Sequence, residues 1–173
     1  MMKKILLPFL IYLAFISESS LVQAFLPQDA SMDWQIIPRF SMVMILFIAM
    51  YLNTTYGLLY GLGFGLLTDL LYTDIIGVYL FSMAATAYIT SVFSRYLFGN
   101  LIVTIFLSII GVSILEFFVY GLNSLIGISN QSIDLFLYKR LLPTLILNGL
   151  FAILIYYPYV KYLNRIKETI KEN

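Results

Sequence analysis

Residues 57–72 read GLLYGLGFGLLTDLLY, a stretch with nearly the length of a membrane span that nevertheless carries four glycines and an aspartate. Gly57, Gly61, Gly65 and Asp69 follow one another at intervals of four residues. Residues four apart share a face of an α-helix with a slow drift, so the three glycines form a ridge without side chains. In lipid, close packing of small residues drives helix association, and the ridge is therefore predicted to face another helix.

Small residues elsewhere in the chain are candidates to receive this ridge. They lie in the fourth apolar segment (Ala84, Ala85, Ala87) and in the fifth (Ser108, Gly111). A membrane span of a partner protein is a further candidate.

Asp69 completes the ridge and is predicted to point toward the same neighbour, away from lipid. A carboxylate at the centre of a membrane costs about 2.5–3.5 kcal/mol on insertion scales, and less near a boundary. Three interpretations are open: a hydrogen bond that fixes helix packing, a solvated position at the outer interface, or a role in proton or ion transport. The packing role is the favoured one.

The composition indicates a chain that lies mostly in lipid. Of 173 residues, 61% are hydrophobic and 11% are charged, whereas average soluble domains have about 45–50% and about 25%. The absence of cysteine and histidine excludes disulfides, thiolate metal sites and histidine bases. The net charge of +1 excludes a strongly basic nucleic-acid binder. No catalytic residues, metal site or cofactor are predicted.

Six apolar stretches predict a single all-α domain, a polytopic bundle of about six transmembrane helices. A straight span needs about 20 residues, a length that the second to fourth stretches do not reach, so five spans with a re-entrant pair is the alternative. The stretches are residues 5–26, 40–52, 56–72, 75–93, 101–122 and 141–159, followed by a short basic tail, residues 160–173.

The first apolar segment admits two interpretations. Lys3 and Lys4 precede an apolar run that ends near Ala24, as in a signal peptide with a weak cleavage site. The run is long for a signal peptide and further spans follow it, so a retained first helix is favoured.

The distribution of Lys and Arg predicts that both termini lie in the cytoplasm. With six spans, the outer side receives only Arg39, Lys139 and Arg140, and the other basic residues fall on the inner side. The basic tail has Tyr162, Leu163, Ile166 and Ile170 on one helical side, which predicts either an interfacial helix on an anionic leaflet or a simple flank of the last span.

Two further carboxylates fall within the predicted spans. Glu18 and Glu116 should face the bundle interior, and the topology places them with Asp69 in the outer half of the membrane. This shared depth is compatible with a small buried polar cluster or with a shallow water-filled cavity. Arg39, Lys139 and Arg140 are the nearest candidate counter-ions.

The segment around the ridge resembles the MreD family of rod shape-determining membrane proteins. The resemblance rests on GLLYGLGFGLLTDLLY, on GVYLF at residues 77–81, and on the chain length, the layout of spans and the basic C-terminus. For the positions that match the motif it implies structural importance in helix packing or a partner interface, without defined chemistry. These positions are Gly57, Gly61, Gly65, Asp69 and Gly77.

The resemblance implies a non-enzymatic scaffold of the bacterial elongation machinery in the cytoplasmic membrane. MreD-like proteins associate with the membrane span of MreC, and through it with MreB, RodA and a class B penicillin-binding protein, in peptidoglycan synthesis and cell shape. Membrane lipid is the other expected partner. The fold is expected to be similar to the substrate-binding components of energy-coupling-factor (ECF) transporters.

The fold likeness suggests an alternative function, a substrate-binding membrane component of a vitamin-type transporter whose polar cluster lines a pocket. An enzyme is disfavoured, because Glu18, Asp69 and Glu116 are too dispersed in sequence to identify a metal cluster, and no nucleophile with a base is evident.

Overall fold

The computed structural model describes residues 2–25, 35–73, 75–97, 100–127 and 131–171, and the regular structure within these ranges is entirely helical. Residues 172 and 173, at the end of the predicted tail, lie outside the described residues. The helices are α1 (Met2–Phe25), α2 (Phe40–Tyr51), α3 (Thr54–Tyr72), α4 (Val78–Ser94), α5 (Leu101–Leu125) and α6 (Ile133–Leu135), which continues through a π-helical turn (Phe136–Leu141) into α7 (Leu142–Lys171).

The helices begin and end within a few residues of the apolar stretches, except at the C-terminus. There α7 continues without a break through the basic tail, and Leu163 and Ile166 are buried in the core. The apolar side of the tail therefore packs against the protein. By length and apolar character, two helical segments of the described residues can cross a membrane, namely Leu101–Leu125 and Ile133–Thr169.

The central helix of the bundle is α2. Its sequence FSMVMILFIAMY is apolar on every side, its first ten residues are all buried, and it contacts α1, α3, α4, α5 and α7. A helix that is apolar all round belongs in a core. With 12 residues at a rise of about 1.5 Å each, it is about 18 Å long and falls short of a bilayer core of about 30 Å.

One side of α2 is covered by α1. Leu7, Ile11 and Phe15 of α1 are almost fully buried and belong to the same apolar core as α2. Phe15 also meets Phe64 of α3 edge to face, with 6.0 Å between ring centroids. Removal of α1 would therefore expose the central helix.

The glycine ridge of α3 lies against two helices of the same chain. A Cβ atom at Gly61 would be 3.0 Å from Cα of Ala84 on α4, and one at Gly57 would be 2.4 Å from Cβ of Ala49 on α2. At Gly65 an added Cβ would be 2.6 Å from the carbonyl oxygen of Tyr79. The backbones of α3 and α4 therefore approach so closely that only glycine is accommodated on this face of α3.

The close approach at Gly65 predicts a loss of stability in Gly65→Ala. The new methyl group would meet the backbone of α4, which cannot move as a flexible side chain does, and such overpacking costs about 1–3 kcal/mol. We expect a lower midpoint of thermal unfolding for the purified protein in detergent.

Gly63→Ala is the matched control, because Gly63 lies two residues away on the exposed side of α3 and an added Cβ there has no neighbour within 4 Å among the described residues. This variant should be as stable as the wild type or more stable, since alanine is the better helix former. Equal midpoints for both variants would show that the backbones do not approach as closely as described.

Candidate functional site

The charged side chains of the bundle interior gather at one end, where α1, α3 and α5 end and α2, α4 and α7 begin. This region is called the polar end below. It contains the three carboxylates singled out in the sequence, the two arginines that bind Glu116, and three further polar side chains that bind Arg39 or the segment before α2. These residues are Glu18, Asp69 and Glu116, then Arg39 and Arg140, then Tyr79, Thr144 and Asn148.

Asp69 is fully buried and binds the N-terminus of α4. One carboxylate oxygen accepts hydrogen bonds from the backbone N–H groups of Gly77 (2.8 Å) and Leu80 (2.9 Å), and the other accepts from the N–H of Tyr79 (2.9 Å). The first N–H groups of a helix have no intrahelical partner, and a carboxylate there also interacts favourably with the helix dipole. Asp69 thus caps the following helix from the last full turn of α3.

Gly77 precedes α4 with a φ of +120°. This conformation is strained for residues with a Cβ atom, so glycine is required by the backbone and not by crowding. It turns the chain sharply enough for the N–H of Gly77 to reach Asp69. The motif residues Asp69 and Gly77 therefore act together to join the end of α3 to the start of α4.

Glu116 of α5 is fully buried between two arginines. Its Oε1 is 2.8 Å from Nε of Arg39, and its Oε2 is 3.0 Å from Nε and 2.9 Å from Nη2 of Arg140. Arg39 directly precedes α2, and Arg140 lies in the π-helical turn. A buried carboxylate needs such charge-assisted hydrogen bonds to offset its loss of hydration.

Tyr79 connects the arginine pair to the cap of α4. Nη2 of Arg39 donates to the Tyr79 hydroxyl at 2.7 Å, and the guanidinium carbon lies 4.8 Å from the centre of the Tyr79 ring. Burial alone would lower the pKa of Arg39, but Tyr79 and Glu116 raise it by more, so that the pKa is above its ordinary value and the side chain stays charged.

The extended segment before α2 is held by side chains of α7. Thr144 Oγ1 accepts a hydrogen bond from the N–H of Ile37 (3.1 Å), and Asn148 Oδ1 accepts one from the N–H of Arg39 (2.8 Å). The Asn148 amide also donates to the carbonyl oxygen of Ile37 at 3.0 Å. These contacts satisfy backbone groups that a helix would have satisfied internally.

Glu18 of α1 binds the N-terminus of α2 in the way that Asp69 binds α4. Its Oε1 accepts a hydrogen bond from the backbone N–H of Ser41, in the first turn of α2. Next to it, the Tyr72 hydroxyl at the end of α3 donates to Ser19 at 3.0 Å. Two helices that begin at the polar end are thus capped by a carboxylate of the helix that precedes them.

Glu18, Asp69 and Glu116 share one end of the bundle, as their sequence positions suggested, but each binds its own partners. Glu18 and Asp69 bind helix N-termini, whereas Glu116 binds the two arginines. Arg39 and Arg140 had been candidate counter-ions. The sequence did not single out Tyr79, Thr144 or Asn148 as members of this region. For Thr144 and Asn148 a signal was available, because they are polar residues inside an otherwise apolar segment.

The arrangement is suited to holding helices together. Each of the three carboxylates accepts hydrogen bonds from the protein itself: Glu18 from one backbone N–H, Asp69 from three backbone N–H groups and Glu116 from two arginines. Within the described residues, no group of three His, Cys, Asp or Glu side chains could hold a metal ion.

Asp69→Asn should loosen the start of α4. The substitution keeps the size of the side chain but replaces one acceptor oxygen by an NH₂ group, which leaves at least one of the three backbone N–H groups without an acceptor, at a cost of about 1–3 kcal/mol. We expect faster amide hydrogen exchange at residues 77–80, measured by mass spectrometry. Asp134→Asn, at an exposed carboxylate of α6, should leave this exchange unchanged, and equal exchange in both variants would contradict the capping role.

Glu116→Gln should destabilise the fold more than Asp69→Asn does, because it leaves Arg39 and Arg140 charged without their counter-ion. Breaking a buried ion pair from one side typically costs about 3–5 kcal/mol. We expect a large fall in the denaturation midpoint of the purified protein. Glu168→Gln, an exposed glutamate of α7, is the control and should unfold like the wild type; a Glu116→Gln midpoint close to that of the control would rule out a structural ion network.

Comparison with known proteins gives the chain its family. The profile of the family described as rod shape-determining protein MreD matches residues 3–166. The chain is 32% identical over 171 residues to the rod shape-determining protein MreD of Bacillus subtilis (strain 168), with 99% of both chains covered. No solved structure matches it. With a profile match over nearly its whole length and a full-length relative, the chain belongs to the MreD family of rod shape-determining proteins.

Proposed function

We propose that this chain is a non-enzymatic membrane scaffold of the bacterial rod complex, which binds MreC and supports peptidoglycan synthesis. The observation that carries the proposal is the full-length match to a rod shape-determining relative, which supports a role in cell shape. Through MreC the scaffold would connect to MreB, RodA and a class B penicillin-binding protein.

In this proposal the chain crosses the cytoplasmic membrane several times and both termini are cytoplasmic. Two helical segments have the length and apolar character of spans, and consecutive long helices reverse direction between the polar end and the opposite end. Arg95, Lys161, Arg165 and Lys167 belong to the opposite end. Because the cytoplasmic side carries the excess of Lys and Arg, the opposite end would face the cytoplasm and the polar end the outer side.

The first helix is retained in this proposal. Cleavage after Ala24 would remove the side chains of Leu7, Ile11 and Phe15 from the core and would free the N-terminus of α2 from Glu18. A mature protein without α1 would therefore expose its central helix, which supports retention over processing.

The surface for MreC would lie on the face of α3 that points away from α2 and α4. Gly57, Gly61 and Gly65 are covered by α2 and α4. They would therefore not touch a partner but would hold α3 in place for it. On the other side of α3, Leu59, Leu66 and Leu70 are exposed around Gly63, where an added Cβ meets nothing in the described residues. A small residue between exposed leucines allows a second helix to approach closely.

The engaged polar end favours a scaffold over a substrate-binding transporter component. Glu116 is bound by Arg39, and Asp69 is bound by a backbone N–H group of α4. These side chains are therefore already engaged within the protein. The likeness to the fold of ECF substrate-binding components, which the family resemblance implies, stays a prediction.

Gly63→Leu should block the approach of a partner helix without disturbing the fold. We expect that MreC co-purifies with the affinity-tagged wild-type chain from membranes and that recovery falls strongly in this variant. The physical reason is that a leucine side chain would occupy the space in which the partner's backbone lies.

Gly121→Leu is the matched control, because Gly121 on α5 also has no atom within 4 Å of an added Cβ among the described residues. Its complex with MreC should be recovered at wild-type levels. Equal recovery with both variants would place the interface elsewhere on the bundle. Absence of MreC from the wild-type preparation, with both proteins present in the membranes, would refute the scaffold function itself.

A further inference from the structure

Two adjoining cavities lie toward the end of the bundle opposite the polar end. The first, of about 350 Å³, is an apolar groove between α4 and α5, with Ile89, Phe93, Phe106, Ile110 and Ile114 in its wall. Phe93 and Phe106 are more than half exposed, so the groove opens sideways, toward the surroundings of the bundle. In a membrane this opening faces hydrocarbon.

The second cavity is polar and has a volume of about 220 Å³. The side chains of Tyr51, Ser94, Thr104 and Lys167 contribute to its wall, from α2, α4, α5 and α7 in turn. Tyr51 and Thr104 share a hydrogen bond of 2.8 Å between their hydroxyl groups. Among the described residues, no carboxylate forms an ion pair with Lys167, so its ammonium group is available to an anion.

The two cavities meet at common wall residues. Leu97 and Leu107 line both of them, so that the apolar groove leads directly into the polar cavity. The polar cavity also lies at the first turn of α5, where Val103 and Thr104 form part of its wall. The N–H groups of these two residues are bound by Asn100, so this end of α5 attracts an anion through the helix dipole. An apolar channel that ends at a cation and a helix N-terminus is complementary to a lipid with an anionic headgroup.

Three buried hydroxyls of α4 have no hydrogen-bond partner. Ser82, Thr86 and Thr90 are buried, and their hydroxyl oxygens are unpaired in the described structure, although such groups are normally paired. Of the three, Thr90 also lines the apolar groove.

We propose that this composite groove is a specific binding site for one anionic glycerophospholipid. An acyl chain occupies the channel between α4 and α5, and the phosphate lies at Lys167 and the start of α5. Lipid would touch any groove on the bundle side, but the continuity with a polar cavity that carries an unpaired cation selects for headgroup charge. The site rests on the proposed membrane placement and goes beyond the scaffold function.

The cationic character of this end favours an acidic lipid over a neutral one. Arg95, Lys161 and Arg165 are exposed at the same end, and basic residues near a membrane surface attract anionic headgroups. Of these exposed cations, Lys161 and Arg165 line a separate surface depression on α7 with Tyr157 and Glu168. They provide a background attraction from which the contribution of Lys167 can be separated.

Native mass spectrometry of the purified full-length chain in detergent tests the site. The delipidated protein is titrated with phosphatidylglycerol, with phosphatidylcholine of the same acyl chains, and with undecaprenyl phosphate. We expect a single saturable site that prefers phosphatidylglycerol. Lys167→Gln should weaken phosphatidylglycerol binding about fivefold, as expected for one basic residue near an anionic headgroup, and leave phosphatidylcholine binding unchanged.

Lys161→Gln is the matched control, because it removes the same charge from the same helix outside the composite groove, and its effect should be small. Ile110→Trp, which fills the apolar channel, should weaken both glycerolipids, whereas Ile153→Trp on the exposed side of α7 should not. The proposal is overturned by equal effects of the two lysine variants, by non-saturable binding, or by a preference for undecaprenyl phosphate. Since MreC is absent from this assay, its result is independent of the scaffold function.

Discussion

The structure depends on a short central helix that is buried on every side. α2 is apolar all round and packed among five other helices, yet it is only about 18 Å long. Where the helix ends, the buried backbone loses its intrahelical partners and needs others. The chain before α2 must therefore find hydrogen-bond partners inside the bundle, and Thr144 and Asn148 provide them, while Glu18 binds the first turn of α2 itself.

The ion network follows from the same constraint. Arg39 is drawn inside because it directly precedes α2, and its charge is then matched by Glu116, which in turn binds Arg140. Buried ion pairs contribute little net stability compared with apolar packing, but breaking one from a single side is costly. The network therefore mainly fixes how the helices are placed relative to one another. It joins the start of α2, the middle of α5, the π-helical turn and, through Tyr79, the start of α4.

Sequence reasoning located the helices well because apolar length and glycine spacing are local signals. The direction of Asp69 followed from its place on the ridge, but its role as a cap could not be deduced, since the N–H groups that it binds belong to the next helix. The pairing of Arg39 with Glu116 joins residues far apart in the chain, for which a single sequence carries no distance information. The packing of Leu163 and Ile166 was also missed, because an amphipathic tail has the same pattern whether its apolar side meets lipid or protein.

The two ends of the bundle differ in how fully their polar groups are used, and this difference bears on function. At the polar end the carboxylates are bound by backbone N–H groups or arginines of the chain, and Thr144 and Asn148 of α7 bind the segment before α2, so that this end fixes the relative positions of six helices, α1 to α5 and α7. At the opposite end Lys167 and Thr90 have no such partners among the described residues, and the wall between α4 and α5 is open. In the proposed scaffold, the polar end would hold the helix faces that a partner recognises, while the groove at the opposite end would be the proposed lipid site.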